Sequence, residues 1–233
     1  MNSKSGAKPS RPRRAKRGKS QRRTEITRSA ALNAAMREFA QLGLAGARVD
    51  RIAERAGINK QALYYHFGNK EQLFAATLAA VYDQGLPVPE VLKLPELTPP
   101  AAMRVLINAM FVHFRTIEDG TSVIAHENRY RGKHLTPSIR KRIRTSLAPL
   151  IAAIDDVLTR GQHQGVFNTD VSTNDLYLTL VAMSMFYFDH AYTLSSIVEY
   201  DLLDESAVAA WQTHVENFVL AALRPAAVQK STK

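Results

Sequence analysis

Four short apolar patterns at helical spacing, crowded between Thr24 and Gln84 and separated by glycine and asparagine, constrain this chain more than any other feature. Leu32, Ala35, Met36 and Phe39 line one face of a first helix, which Gly43 ends. Val49, Ile52, Ala53 and Ala56 repeat the spacing in a second helix, stopped by Gly57. Asn59 suits the N-cap of a third, which turns Leu63 and Phe67 inward. Asn69, with Gln72 three residues on, reads as a capping box for a fourth helix. That helix runs through Leu73, Phe74, Thr77, Leu78 and Val81 to Gly85. Segments of about eight residues are not stable alone in water, so these four persist only by sharing one small core.

Charge divides the chain sharply. Residues 1–23 hold ten Lys or Arg and no acid, whereas everything from Thr24 onward has 21 basic against 21 acidic residues. Such a Ser-, Pro- and Gly-containing basic run buries no core and is expected to be disordered by itself. It is either a solvated tail or an arm that meets phosphates or a minor groove. Because no apolar run follows it, it does not read as a secretory signal. The absence of cysteine excludes disulfides, thiolate metal sites and a cysteine nucleophile, and suits a reducing cytoplasm. The longest uncharged stretch, Leu176–Phe188, has thirteen residues, too few to span a bilayer, so no membrane partner is expected.

After Gly85 come Pro87, Pro89, Pro95, Pro99 and Pro100, and residues 85–97 read as a linker. Beyond it the helices are longer. Thr98-Pro99 and Thr136-Pro137 are cap-and-proline starts, the first for a helix to about Glu118 and the second for one ending near Gly161 or Gly165. A short helix over Thr121–Arg131 lies between them. Ser172 with Asp175 opens a helix expected to run to about Val198, and Asp204 opens the last, from Glu205 to about Leu223. The expected architecture is all-α, with a small helical unit over 24–84, a second helical domain over 98–224 and a disordered tail over 225–233.

Two short helices joined by a tight turn at Gly57 form a helix-turn-helix. The helix after the turn offers Lys60, Gln61, Tyr64, Tyr65 and His66 on its outer face, with Lys70 just beyond. These side-chain types reach phosphates, base edges and thymine methyls from a major groove. By periodicity alone the aromatics are equally consistent with half-buried packing residues.

Residues Ala34–Phe74 settle that choice by resemblance. Ala34-Ala35…Phe39…Gly43, Ile52-Ala53-Glu54-Arg55-Ala56-Gly57-Ile58 and Leu63-Tyr64-Tyr65-His66-Phe67…Lys70-Glu71-Gln72-Leu73-Phe74 resemble the tetracycline-repressor (TetR/AcrR) family of bacterial regulators. The resemblance implies that Tyr65 and Gln61 contact bases and Tyr64 and His66 the DNA backbone. Lys70 would meet a phosphate, aided by the positive end of its helix. One departure is Ala47-Arg48-Val49, where the family usually has a capping Ser or Thr. Arg48 or Arg51 is then the expected phosphate ligand. Residues 24–84 hold only seven basic and six acidic residues, which favours a DNA role for the basic arm.

The resemblance further implies a homodimer that represses a palindromic operator and is released by a small-molecule effector, with no cofactor. Two recognition helices about one DNA turn apart, roughly 34–36 Å, would read such an operator. Leu180, Met183 and Tyr187, together with the stripe Trp211, Val215, Phe218 and Ala222, are the expected dimer contacts, unless that stripe only closes the monomer core. Expected pocket residues are Met103, Met110, Phe114, His126, Asn128, Tyr130, Phe186, Tyr187 and His190, with Phe111, His113, Glu127, Asp189 and Tyr192 as further candidates. The cluster 126–129 with Asp189-His190 suits an anionic ligand better than a metal. No glycine phosphate loop, nucleophile elbow or HExxH pair occurs, so no catalytic residue is expected. The competing reading is a sequence-independent architectural DNA binder driven by the basic arm. The large neutral second domain argues against it.

Overall fold

Ala31, Ala35 and Phe39 recur on the inner face of helix α1 (Arg13–Gly46) and set the position of everything around them. The computed structural model describes residues 13–85 and 93–225, with side-chain surroundings from Thr24 onward. Around α1 lie α2 (Val49–Arg55), α3 (Lys60–Phe67) and α4 (Lys70–Asp83). As its glycine suggests, α1 is interrupted at Gly43, where φ is 63°. The Asn59 side chain accepts the Ala62 amide at 2.7 Å, and the Asn69–Gln72 capping box forms in full. At its other end α1 departs from expectation. Its backbone is helical from Arg13, so the 23/24 boundary of a disordered arm does not hold for residues 13–23. Arg, Lys, Gln and Ala are good helix formers, and extending an already nucleated helix needs little more than propensity. Residues 1–12 of that arm, and residues 226–233 of the expected tail, lie outside the described residues.

The second unit comprises α5 (Pro99–Thr116), α6 (Glu118–Arg129), α7 (Pro137–His163), α8 (Thr173–Asp189), α9 (Ala191–Val198) and α10 (Glu205–Ala222). Its core joins Met103, Leu106 and Ile107 of α5 to Ile154 and Val157 of α7, Leu176 and Leu180 of α8, and Val215 and Val219 of α10. The single helix expected from Ser172 to Val198 is broken at His190, whose ring also hydrogen-bonds the Phe186 carbonyl at 3.1 Å. The break lets Tyr187 and Ala191 share a small core with Leu202 and Val208. The end of the expected linker is likewise not free. Leu94 is buried in a short three-ten helix, Leu94–Glu96, and Arg160 donates to the carbonyls of Leu94 and Leu97 at 3.0 Å each. Residues 86–92 lie outside the description.

The four short helices do not close their core alone. Val123 of α6 is wholly buried within it, and Ile124 and Leu135 pack on its edge. Phe74 of α4 meets Phe39 edge-on at 5.1 Å and the His134 ring at 5.2 Å. His134 is itself fixed by Glu127, whose carboxylate oxygens hold its backbone amide and its Nδ1 at 2.7 Å each. Both partners are buried, so the α6–α7 loop is stapled to α4 by groups that have left water. Removing either one would strand the other's hydrogen-bonding capacity. The DNA-binding unit and the second domain thus share one seam of packed side chains.

Candidate nucleic-acid interface and effector cavity

Leu63 and Phe67 of α3 are buried against Ile52, Leu73 and Phe39, so helical geometry turns the intervening residues outward. Tyr65 is 88% exposed, and Lys60, Gln61 and Tyr64 share the exposed side. His66 is half-buried, its ring edge-on to Tyr65 at 5.4 Å. Gly57 holds φ at 66°, a left-handed conformation where a Cβ would be strained, and this allows α3 to leave α2 at the required angle.

The cations around α3 are less free than their sequence positions imply. Lys60 Nζ lies 2.9 Å from Asp50 Oδ1, and that hydrogen bond raises the ammonium above the ordinary lysine value. Lys70 donates to the Ala45 carbonyl at 3.2 Å, tying the start of α4 to the end of α1. Arg51 pairs with Glu38 at 3.7 Å. Of these candidates Arg48 alone has no side-chain acceptor among the described residues. The missing hydroxyl cap of α2 is visible, since the Arg48 side chain makes no cap hydrogen bond. The N-cap residue is held instead through its own amide. Fully buried Glu38 of α1 accepts the Arg48 amide at 3.2 Å and faces Arg51. Sequence reading missed Glu38 and Asp50; a single acid on an otherwise apolar helical face was the available signal for the first.

Behind α4 lies a cavity of about 250 Å³, bounded by α4, α5, α6, α7 and α8. Of the expected pocket residues, Met110, His113 and Phe114 line it. Tyr82, Ser146 and Tyr177 also face it and were missed, because α4 reads as part of the DNA-binding unit alone. At its mouth Asp83 is bound by Arg142 and by the Ser146 hydroxyl at 2.7 Å, joining the end of α4 to α7. Pro149, inside α7, has no N–H to offer the preceding turn and lies in the cavity wall.

The remaining pocket candidates are placed elsewhere. Met103 and Phe111 are buried in the core, and Glu127 is committed to His134. Tyr187 donates to the Leu202 carbonyl at 2.6 Å. Asn128 and Tyr130 are exposed, the latter edge-on to His134. Phe186 stacks on His190 at 4.2 Å at the surface. His126 contacts the Ala40 carbonyl at 3.3 Å and lies under Gly43, where an added Cβ would come within 3.0 Å of its ring. His126, Asp189, His190 and Tyr192 do converge, together with Phe114, Arg115 and Arg129, on an open polar groove of about 560 Å³. Among the described residues no group of three or more His, Cys, Asp or Glu is arranged to hold a metal ion.

The expected dimer contacts also divide. Leu180, Tyr187 and Val215 are buried within the protomer, their side chains packed in its own core. Met183 and Trp211 are half-buried and joined by the indole N–H to the Met183 carbonyl at 3.3 Å. Phe218 and Ala222 are exposed, as are Leu178, Ala182 and Phe186 of α8. No described helix is long and apolar enough to cross a membrane.

Among the described residues the chain is helical, and it joins a helix-turn-helix to a second domain with an interior cavity, an arrangement suited to a DNA-binding regulator of transcription. Two family models match it: bacterial regulatory proteins of the tetR family over residues 31–77, and the tetracyclin repressor-like C-terminal domain over residues 99–219. The chain belongs to the tetracycline-repressor family. It is 29% identical to the HTH-type transcriptional repressor NicS of Pseudomonas putida over 198 residues, covering 85% of this chain and 92% of that one. It is 35% identical to the HTH-type transcriptional repressor SCO4008 of Streptomyces coelicolor over 169 residues, 69% and 77% of the two chains. The solved structure of the regulator FadR from Bacillus subtilis in complex with stearoyl-CoA matches with a TM-score of 0.57 at 16% identity, over 84% of this chain and 99% of that one. At that identity the likeness concerns the fold alone.

Proposed function

We propose that the protein is a homodimeric repressor of a palindromic operator, and that a small molecule entering the cavity behind α4 releases it. One observation carries this reading: α4 belongs to both sites. Its first turn ties to α1 through Lys70 and supports α3 through Leu73. Its last turn supplies Val81 and Tyr82 to the cavity, with Asp83 fastened to α7. A ligand that displaces Val81 and Tyr82 moves the helix on which the recognition helix rests. Preferential binding to the displaced state then shifts the population away from the DNA-binding one. NicS and SCO4008 are both named repressors, which supports repression here. Leu178, Phe186 and Phe218 leave large apolar surface on α8 and α10, which a twofold pairing of these helices would cover.

Selection of genomic fragments by the purified protein at about 150 mM salt, with its mass measured by light scattering, tests the reading. One enriched inverted repeat and a two-chain mass are expected. A one-chain mass that persists on operator DNA, or equal recovery of unrelated duplexes, sinks it. Phe218→Arg should yield monomers that lose the operator.

A further inference from the structure

We propose that the cavity behind α4 selects an uncharged aromatic or alkyl-aromatic molecule with one hydrogen-bonding pole, held by the phenols of Tyr82 and Tyr177 and the ring of His113. The proposal rests on the functional reading above only in taking this cavity as the effector site.

Among the described residues the lining is apolar except for Tyr82, His113, Ser146 and Tyr177, and no described Asp, Glu, Lys or Arg contributes to it. Ser146 already donates to Asp83, which leaves three polar groups. Neither phenol oxygen, and neither ring nitrogen of His113, is hydrogen-bonded to another group among the described residues, although all three side chains are largely withdrawn from water. All three residues are partly buried and line one hollow, so an occupant of that hollow can hydrogen-bond each of them. Burial raises Tyr82 above the ordinary tyrosine value, and Tyr177 lies close enough to raise it further. They therefore offer two donors to one acceptor, and His113 offers a donor or acceptor beside them.

The charge of the occupant follows from the same residues. Burial holds the His113 imidazole below the ordinary histidine value and both phenols above the ordinary tyrosine value, so the lining is neutral at physiological pH. An ionised carboxylate or phosphate placed here would be stripped of water with no counter-charge to meet it, whereas a phenol, ketone or lactone loses far less. Size and softness narrow the class. A cavity of about 150 Å³ accommodates benzene. The larger volume here, about 250 Å³, takes a ring with a short chain or a second ring. Met110 and Met185, beside Phe114, offer polarisable sulfur to an aromatic face.

Calorimetric titration of the full chain with matched probes tests the proposal: β-naphthol and para-propylphenol against ionised β-naphthoate and para-propylbenzoate. At least one neutral probe should bind once per chain with a Kd of about 100 μM or tighter. Its matched carboxylate should bind at least about tenfold more weakly, reflecting the buried uncompensated charge. The double variant Tyr82→Phe/Tyr177→Phe keeps both rings and should weaken the neutral probe about five- to tenfold while leaving the unliganded melting temperature close to that of the parent. Carboxylates binding as tightly as their neutral partners would overturn the proposal. So would failure of both neutral probes at about 1 mM, or binding indifferent to the double variant. Operator affinity is read separately with the same probes. Binding that obeys these rules without changing operator affinity supports the ligand class and removes the effector role instead.

Discussion

The outer face of α3 and the cavity behind α4 use polar side chains in opposite ways. On α3 the polar groups point into solvent, and the cations near them are already engaged: Lys60 with Asp50, Lys70 with the Ala45 carbonyl, Arg51 with Glu38. In the cavity Ser146 is engaged with Asp83, but Tyr82, His113 and Tyr177 have no partner among the described residues. If the cations around α3 meet phosphates, as the proposed function has it, they exchange internal partners for them, so charge has to be redistributed. The three cavity side chains have nothing to give up, so a ligand gains whatever hydrogen bonds it can form. One helix, α4, connects the two, and the seam Phe39–Phe74–His134 makes its position a property of the whole molecule.

The sharpest way to break the comparison is to cut that seam. Phe74→Ala removes a wholly buried ring at the junction and should cost about 3–5 kcal/mol, lowering the melting temperature by about 10 °C. Calorimetry should show one transition moving as a unit; two separated transitions would mean that the domains do not share a core. A smaller effect is expected on the surface of α3. Tyr65→Ala should weaken operator binding about 10- to 100-fold and leave the melting temperature unchanged, because its ring is almost fully exposed. Asp50→Asn sharpens the point about engaged cations. Freed from its partner, Lys60 should meet phosphate, strengthening DNA binding a few-fold and steepening the salt dependence by about one unit of slope. An unchanged slope would show that Lys60 does not face DNA.

The smallest effect concerns the cavity and pH. The folded chain holds His113 below the ordinary value of 6.5, so on acidification the unfolded chain takes the proton more readily than the native one. Stability should therefore be full above pH 6.5 and decline as pH falls below it. In His113→Gln the decline should be shallower, as measured by urea unfolding across that range.

Sequence reading reached furthest where structure is set within a turn of chain. Asn59, the Asn69–Gln72 capping box, the reversal at Gly57 and the inward Leu63 and Phe67 are all as the pattern predicts. The absent cap at Arg48 is equally visible in the sequence. What the pattern could not show is the Glu38 carboxylate that accepts the Arg48 amide, ten residues away along the chain and on another helix. The dimer stripe illustrates the same limit. An apolar position repeats identically whether it faces its own core, as Val215 does, or open surface, as Phe218 does. The break at His190 escaped for a related reason: Tyr187 and Ala191 turn inward to meet Leu202 and Val208, a core that no local periodicity announces.

The sequence by itself determined the helices, most of their ends and the exposed face of α3. These depend on hydrogen bonds and apolar repeats that span a few residues, and such interactions are written in adjacent positions. Only the tertiary structure decided the cavity. Tyr82, His113 and Tyr177 come from three helices far apart in the chain, and whether their polar atoms find partners depends on how those helices pack. It also decided that α4 serves both units, because Val123 and His134 complete around it a core that its own neighbours leave open.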